Sequence, residues 1–425
     1  MFLAIVLLFV GLIFGAYIAW ISSLALIIFA LGFSPYGQFA CSLHLQWLVQ
    51  QEPPAVDILM IIAWLNKFLR KPSFPRIAHP FWPFFIFGLW NIAGIAVTND
   101  LHRSIIFSST TMYILVIIPF TIWLFRKDRV ESSILYYVLF SVYITASVII
   151  VAYILRLYSV GSHFHFLYLA GRPRAFFKDP NVAGPFIVFI LLYYLSMYIL
   201  GKNSRIGWKQ IVGILFLLVS LLLTFSRGAF LNALVGVFSV GLIALAAKRQ
   251  YRYLKLTMAA ILAIILIFFA SPLLGQQRFT RINNYDINGR AAAWVSAMYA
   301  VKDHLLGIGP GQFEYYSVYY QKYFVRNSII TPSAHNVYLR VLAENGLPGF
   351  AIFLLAFFYL YYIMLHTITL SLKVGDYSMI VKSTWILSSI TGILVEGLVV
   401  DVLHWRHLGL AIGLAYLYYF SIADE

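Results

Sequence analysis

Charged side chains are scarce in this chain. Only 11% of its 425 residues are Asp, Glu, Lys or Arg, whereas 62% are hydrophobic. A soluble domain of ordinary composition is about one quarter charged. The shortage therefore excludes a mainly soluble protein and indicates a polytopic membrane protein with little soluble mass.

Cysteine is nearly absent, and so are the common cofactor motifs. Cys41 is the single cysteine, which excludes an intramolecular disulfide, and no Cys/His cluster has zinc-like spacing. The sequence has no Asp-x-Asp pair or other acidic cluster for a divalent metal, and no P-loop or dinucleotide glycine motif. We therefore expect no metal and no cofactor, and neither ATP, nucleotide sugars nor nucleic acid as a ligand.

Long apolar runs are abundant. Runs of about 20 residues, enough to cross a bilayer, occur at 79–97, 104–125, 132–156, 180–200, 209–225, 228–247, 254–274, 347–368, 378–400 and 404–422, with a shorter run at 54–69. Residues 2–32 are apolar as well and lack the basic start and cleavage site of a signal peptide. One crossing there gives twelve spans and two crossings give thirteen. We predict an all-α membrane protein of about twelve transmembrane helices, with 1–425 as a single domain.

Basic loops alternate with other loops along the chain. Clusters of Lys and Arg fall near 67–76, 126–129, 202–209 and 248–255. Short basic loops stay in the cytoplasm. The intervening loops, including the long segment 275–346, are therefore expected to face outward, and this segment is expected to contain amphipathic helices.

The outward loops nevertheless carry many cations. They are Arg172, Arg174 and Lys178 before one span, Arg227 between two spans, and Arg278, Arg281, Arg290 and Arg340 in the long loop. Cations on this side oppose the usual bias, so we interpret several of them as ligands of an anionic substrate. The alternative is that they reach phospholipid headgroups.

Two of these cationic segments lie at predicted helix starts. Asp179 and Pro180 form an N-cap followed by proline at the first helical position, and a helix N-terminus beside cations suits phosphate. Arg227 lies in a tight Ser-Arg-Gly connection with no acidic residue near it in the sequence. Arginine near hydrocarbon is costly, so we expect a ligand to compensate it. A carboxylate brought in by the fold is the alternative.

The segment SAHNVYLRVLAENGLPG, residues 333–349, predicts an amphipathic helix at the outer surface, separate from the span that follows. Ser333 is its expected N-cap. Asn336, Arg340 and Glu344 recur every four residues and form one polar stripe.

His335 would lie in the first turn of this helix. The helix dipole there disfavours imidazolium, which keeps the ring neutral and able to accept a proton. His335 is therefore the predicted general base, and Glu314 is the alternative base.

These residues resemble those of a known family. A His-Asn pair that begins at His335, followed after nine residues by glycine and after two more by a second glycine, is similar to the signature of the bacterial O-antigen ligases. Arg227 with Leu231 resembles the arginine element of that family. The Ser-Arg-Gly turn, the Asp-Pro-Asn helix start and the long outer loop resemble the wider ligase and polymerase superfamily, over about residues 160–425.

The resemblance implies a lipid-carrier-dependent glycosyltransferase of the all-helical, GT-C-like class in the bacterial inner membrane, with 275–346 as a periplasmic loop. The implied donor is O-antigen polysaccharide on undecaprenyl pyrophosphate, and the implied acceptor is a sugar hydroxyl of lipid A–core. Transfer would invert the anomeric carbon without a metal. Arg227 and Arg290 would neutralise the pyrophosphate while His335 takes the acceptor's proton.

Other functions remain open. An O-antigen or exopolysaccharide polymerase would use the same donor with a lipid-linked glycan as acceptor, and the spacing from Arg278 to Gly289 matches one element of such enzymes. A transporter of the lipid-linked glycan would need polar residues spread at mid-membrane or internal repeats, and no convincing repeat is present. A protein glycosyltransferase and a non-catalytic assembly subunit are further alternatives.

Overall fold

The computed structural model describes residues 79–124, 126, 130–158, 167–169, 171–202, 207–248, 251–270, 284–324 and 332–423. Within these ranges the chain is helical apart from one short β-hairpin and the connecting segments. The predicted apolar runs at 2–32 and 54–69 lie outside the described residues.

The helices follow the apolar runs of the sequence. In chain order they are α1 Trp82–Ala93, α2 Leu101–Leu124, α3 Val130–Leu157, α4 Pro180–Leu200, α5 Trp208–Leu223, α6 Arg227–Lys248, α7 Tyr251–Ala270, α8 Asn284–Asp303, α9 Phe313–Phe324, α10 Val337–Val374, α11 Tyr377–Glu396 and α12 Arg406–Ala423. A π-helical turn, Tyr113–Ile117, lies within α2, and short 3-10 turns, His79–Phe81 and Gly94–Val97, flank α1. Strands β1, Tyr168–Leu169, and β2, Arg172–Pro173, pair antiparallel between α3 and α4.

Six helices of the described ranges are long and apolar enough to cross a membrane, namely α2, α3, α4, α6, α10 and α11. The shorter helices α1, α5 and α7 are apolar too. Each run predicted between residues 79 and 422 coincides with a helix, so the prediction of an all-α polytopic membrane protein is confirmed. The total of twelve spans and the GT-C-like class stay predictions.

The centre of the bundle is formed by α4, α6 and α11. α6 packs against α4, α7 and α11, and α4 also packs against α11. Trp385 of α11 is fully buried, and its indole donates a hydrogen bond to the Phe189 carbonyl of α4 at 2.6 Å. α11 runs opposite to α4 and α6, so its C-terminal end meets the N-terminal ends of those helices at one face of the bundle.

The described part of the predicted outer loop forms a layer of helices. α8 packs against α9 and against α10. A small apolar cluster joins them, made of Ala297, Ala300, Val301, Ile308, Phe313, Tyr320, Ala334 and Ala343. This layer lies next to the start of α10.

α10 contains a kink at Gly346, where φ is 67°. The kink packs against a second glycine in the left-handed region, Gly307, with φ of 98°. A Cβ atom at Gly307 would lie 2.4 Å from the Glu344 backbone oxygen, and one at Gly346 would lie 2.3 Å from the Leu305 backbone oxygen. Only glycine allows the two backbones to approach this closely.

The prediction that this short helix ends at Gly346, before the following span, is confirmed, because the backbone at Gly346 is non-helical and separates two helical parts of α10. The prediction that the short helix lies at the outer surface is wrong, because the residues of its polar stripe, Asn336, Arg340 and Glu344, are buried. The reason is that charged partners from other elements surround the stripe, as described below.

Candidate functional site

His335 lies immediately before α10. Asn336, and not the predicted Ser333, caps the helix, because its Oδ1 accepts hydrogen bonds from the backbone N–H groups of Tyr338 and Leu339 at 3.0 and 3.1 Å. His335 therefore precedes the first turn instead of lying within it. Its φ of 45° is left-handed, a conformation that a non-glycine residue keeps only where its surroundings impose it, as at many functional sites.

Arg290 on α8 reaches the same end of the molecule. Its Nη1 donates to the Val399 carbonyl at 3.1 Å. One helical turn later, the Trp294 indole donates to the Ala334 carbonyl at 2.8 Å, directly before His335. Two of the predicted catalytic residues thus belong to adjacent, mutually bonded segments.

Arg227 is the first residue of α6, as the tight Ser-Arg-Gly connection predicts. Ser226 caps the helix, since its Oγ accepts from Ala229 N at 3.2 Å, and its hydroxyl donates to Asn181 Oδ1 at 2.9 Å. The Arg227 side chain is exposed. Among the described residues, no carboxylate lies within ion-pair distance of its guanidinium.

An apolar groove begins at Arg227 and runs between α6 and α7. Its cavity volume is about 360 Å³, and its lining consists of Arg227, Phe230, Leu231, Leu234, Ile265, Phe268 and Phe269. Arg227 is the polar group of this lining. A groove of hydrocarbon character with a cation at its end suits an amphiphile that has an anionic head and an apolar tail.

Arg172 on β2 reaches the turn that precedes Arg227. Its Nε donates to the Thr224 carbonyl at 3.2 Å and its Nη2 donates to Asn181 Oδ1 at 3.0 Å. Burial lowers the pKa of Arg172, Asp179 opposes this, and the positive charge of Arg227 lowers it further. Two like charges share this region, so a bound anion would stabilise both.

The predicted start of α4 is confirmed. Asp179 Oδ1 accepts from Asn181 N at 2.7 Å, and Pro180 occupies the first helical position. Arg174 Nη1 donates to the Lys178 carbonyl at 3.0 Å, and burial lowers the pKa of Arg174 while Asp179 opposes this. Lys178 is exposed. Of the predicted cations that precede α4, Arg172 is therefore the one that the structure brings within electrostatic range of Arg227.

Arg340 has three carboxylates around it, and these four residues are called the Arg340 cluster. Its Nε lies 3.2 Å from Glu344 Oε1, its Nη1 lies 2.5 Å from Asp401 Oδ2, and its Nη2 lies 3.0 Å from Glu314 Oε1. The guanidinium carbon also lies 4.5 Å from the centre of the Phe107 ring. Its charge is thus compensated inside the protein, and a role in substrate binding stays a prediction.

The acids of the Arg340 cluster form ion pairs with arginines. Glu314 Oε2 also accepts from Arg103 Nη2 at 2.5 Å. Burial alone would raise the pKa of Asp401, but the Arg340 guanidinium outweighs it and holds that pKa below its usual value. Both Glu314 oxygens therefore face guanidinium groups, and the choice between His335 and Glu314 as the base stays a prediction.

Glu396, the last residue of α11, is a second buried acid at this end. Its Oε2 accepts from Asn232 Nδ2 at 2.9 Å, and its Oε1 has no hydrogen-bond partner among the described residues. A Cβ atom at Gly228 would lie 2.5 Å from that Oε1. The carbonyl of the residue after Glu396 accepts from Val337 N at 2.8 Å. Glu396 therefore connects the start of α6 with the start of α10.

Residues 212–354 match a family model described as O-antigen ligase. The predicted resemblance to the O-antigen ligase family is confirmed. No curated protein matches the chain in a sequence search.

The matched segment contains Arg227, Arg290, Glu314, His335 and Arg340. The fold adds groups from outside it, namely the cations before α4 and the acids at the end of α11 and after it. Arg278 and Arg281 lie within the matched segment but outside the described residues, so their place in the site stays a prediction.

Two acids of the candidate site were missed by sequence reasoning. Glu396 lies in the apolar run 378–400, and an acid inside a span marks a functional site by default. Asp401 is the acid of the short outward connection 401–403. The sequence therefore shows both acids at unusual positions, but it does not show which residues contact them.

Proposed function

We propose that this chain transfers an O-antigen polysaccharide from undecaprenyl pyrophosphate to a sugar hydroxyl of lipid A–core. The observation that carries the proposal is Arg227 at the end of the apolar groove between α6 and α7. A polyprenyl pyrophosphate has the matching chemistry, since its tail suits the groove and its diphosphate suits the guanidinium.

The cations beside the groove serve the leaving group in this proposal. Arg172 and Arg227 repel each other in the free protein, and the diphosphate of the donor relieves that repulsion. Guanidinium groups neutralise the negative charge that develops on the diphosphate as the sugar departs. Arg174 and Lys178 add positive charge at the start of α4.

His335 acts as the general base. The acceptor oxygen forms a bond to the anomeric carbon, the bond between that carbon and the diphosphate oxygen breaks, and the hydroxyl proton passes to the imidazole. Undecaprenyl pyrophosphate leaves from the opposite face, so the anomeric configuration inverts. His335 lies directly before Asn336, the N-cap of α10.

The reaction takes place at the periplasmic face of the bacterial inner membrane. The apolar spans support a membrane location, and the basic loops of the sequence support cytoplasmic placement of the other face. In this proposal the layer formed by α8, α9 and the start of α10 faces the periplasm, and Arg290 of α8 contacts the diphosphate.

A transfer assay tests the proposal. Purified protein in lipid nanodiscs is incubated with lipid-linked O-antigen and rough lipopolysaccharide in the presence of a chelator, and capped lipopolysaccharide is followed as a ladder. We expect the ladder in wild-type protein and its loss in His335→Ala and Arg227→Ala, with both variants still folded.

Two results would contradict it. A ladder that disappears with chelator and returns with a divalent metal would refute the arginine mechanism. Growth of the lipid-linked glycan without transfer to rough lipopolysaccharide would identify a polymerase of the same family.

A further inference from the structure

His404, in the connection between α11 and α12, has a hydrogen-bonding pattern from which we assign its tautomer. Its Nε2 lies 2.9 Å from Thr111 Oγ1 of α2. The Thr111 hydroxyl donates its single proton to the Phe107 carbonyl at 3.0 Å. With the Thr111 proton on the Phe107 carbonyl, the hydroxyl oxygen accepts from His404, so we assign the ring proton to Nε2 and the lone pair to Nδ1.

That Nδ1 is open. Across the described residues it makes no hydrogen bond, and it is not among the polar atoms sealed from solvent. The ring is half-buried and packs edge to face with Phe107, with 4.3 Å between the ring centres. This packing and the Thr111 contact hold the ring plane, so the direction of the Nδ1 lone pair is fixed before a ligand binds.

Charged groups from the Arg340 cluster and from the segment before α4 act on the His404 ring. Burial lowers the pKa of His404 to about 4, Asp401 opposes this, and the charges of Arg340 and Lys178 lower it again. The ring is consequently neutral at physiological pH. His404 is thus within electrostatic range of Asp401, Arg340 and Lys178, and it offers a hydrogen-bond acceptor where these neighbours are charged.

We propose that His404 Nδ1 accepts a hydrogen bond from a hydroxyl group of the acceptor sugar. This subsite rests on the proposed glycosyl transfer. The diphosphate of the donor cannot fill it, because phosphate oxygens at neutral pH accept hydrogen bonds and do not donate them, whereas a sugar hydroxyl donates.

The position of the subsite favours the acceptor over the donor. The carrier's groove is lined by α6 and α7 and starts at Arg227. His404 instead contacts α2, through Thr111 and Phe107, and faces Asp401. The acceptor sugar would therefore be held on the part of the site that the carrier leaves free, and His404 would orient it without taking its proton.

Two substitutions separate this role from a structural one. In His404→Gln the longer amide can keep the contact with Thr111 but has no acceptor at the Nδ1 position. In His404→Asn the amide oxygen can take the Nδ1 position, and the contact with Thr111 is lost. A hydrogen bond between neutral groups contributes about 0.5–1.5 kcal/mol, which corresponds to a change of roughly 2- to 12-fold in binding.

We expect His404→Gln to raise the KM for rough lipopolysaccharide within that range, with kcat and the KM for lipid-linked donor unchanged. His404→Asn is expected to stay close to wild type. The reverse order, with Asn impaired and Gln normal, would mean that only the Thr111 contact matters and would overturn the subsite.

Chemical labelling tests the open nitrogen directly. Diethyl pyrocarbonate reacts with unprotonated imidazole, and at about pH 5.5 an ordinary histidine with a pKa near 6.5 is mostly protonated. We expect His404 to be labelled at that pH and rough lipopolysaccharide to slow the labelling, as read by peptide mass spectrometry. His407 is a matched control, because it is 1% exposed and its Nε2 is sealed.

The outcomes separate the two proposals. A His404 that does not react, or that reacts equally fast with and without saturating rough lipopolysaccharide, overturns the subsite. Transfer in wild-type protein with an unchanged acceptor KM in His404→Gln overturns it as well while leaving the proposed function standing. Absence of transfer in wild-type protein overturns the proposed function itself.

Discussion

At the scale of single residues, two arginines of the site have opposite surroundings. Arg340 is buried among three carboxylates, whereas Arg227 is exposed and has no ion-pair partner among the described residues. The sequence marks both as outward cations and does not separate them. Their difference depends on Glu314 and Asp401, which are 26 and 61 residues away from Arg340 along the chain.

This contrast predicts different costs for the same substitution. Arg340→Ala leaves buried carboxylates without a counter-charge and is expected to cost about 3–5 kcal/mol of stability. Arg227→Ala is expected to leave the melting temperature unchanged and to abolish transfer. Thermal unfolding in detergent, measured beside the transfer assay, checks both. Equal melting temperatures for the two variants would contradict the assignment of Arg340 to the protein's interior.

The pKa of His404 predicts a pH effect on stability. The folded-state pKa, about 4, lies below the unfolded value of about 6.5, so between these values the unfolded chain binds the proton and the folded chain does not. Stability must then fall as pH falls from about 6.5 to about 4. In His404→Gln, the melting temperature should change less with pH over this window than it does in wild-type protein. If the melting temperatures of variant and wild type changed with pH in parallel, His404 would not contribute to the pH dependence of stability.

At the scale of elements, the apolar runs were predictable because bilayer thickness sets the length of a spanning helix. The start of α4 was predictable as well, since Asp and Pro specify an N-cap locally. The start of α10 was not predictable in the same way. Its polar stripe has the period expected of a surface helix, and periodicity states only that residues share a face, not what packs against that face.

The contact between Gly307 and the kink of α10 gives an element-scale prediction. Gly307→Ala adds a Cβ that would lie 2.4 Å from the Glu344 carbonyl, so the backbone must move and disturb the Arg340 cluster. Gly375 at the C-terminal end of α10 is the control, since its φ is 74° and nothing lies within 4 Å of a Cβ there.

We expect Gly375→Ala to lower the free energy of unfolding only by the strain of a left-handed alanine, about 1–2 kcal/mol. Gly307→Ala is expected to lower it by clearly more. Melting temperatures of the two variants measure this difference. The two glycines should also differ in activity, because Gly307 supports the site and Gly375 does not contact it. Equal losses would show that the close approach at Gly307 relaxes freely.

At the scale of the whole molecule, the site assembles where α4, α6, α10 and α11 meet. Sequence reasoning placed the cations on the outward side from the alternation of basic loops. It could not show that the ends of α4, α6 and α11 converge, because that depends on packing between helices far apart in the chain. The groove between α6 and α7 was likewise not readable from their separate apolar runs.

The groove predicts a dependence on the length of the carrier's tail. Leu234→Trp fills part of the groove and is expected to raise the KM for a long-chain donor about tenfold, equal to ~1.4 kcal/mol. A short-chain donor that does not reach Leu234 should be unaffected. Leu242→Trp on the same helix is the control, since Leu242 is 47% exposed and does not line the groove. An equal effect of both substitutions on both donors would exclude the groove as the tail site.

The close contact between Gly228 and Glu396 has an evolutionary consequence. With the Glu396 oxygen 2.5 Å from the place where a Cβ would stand, bulk at position 228 and side-chain length at position 396 compete for one volume. Homologues should therefore show covariation between these positions, with alanine or serine at 228 appearing where the acid at 396 is shorter or replaced by a smaller residue. A lineage would have to change both positions together to leave this arrangement.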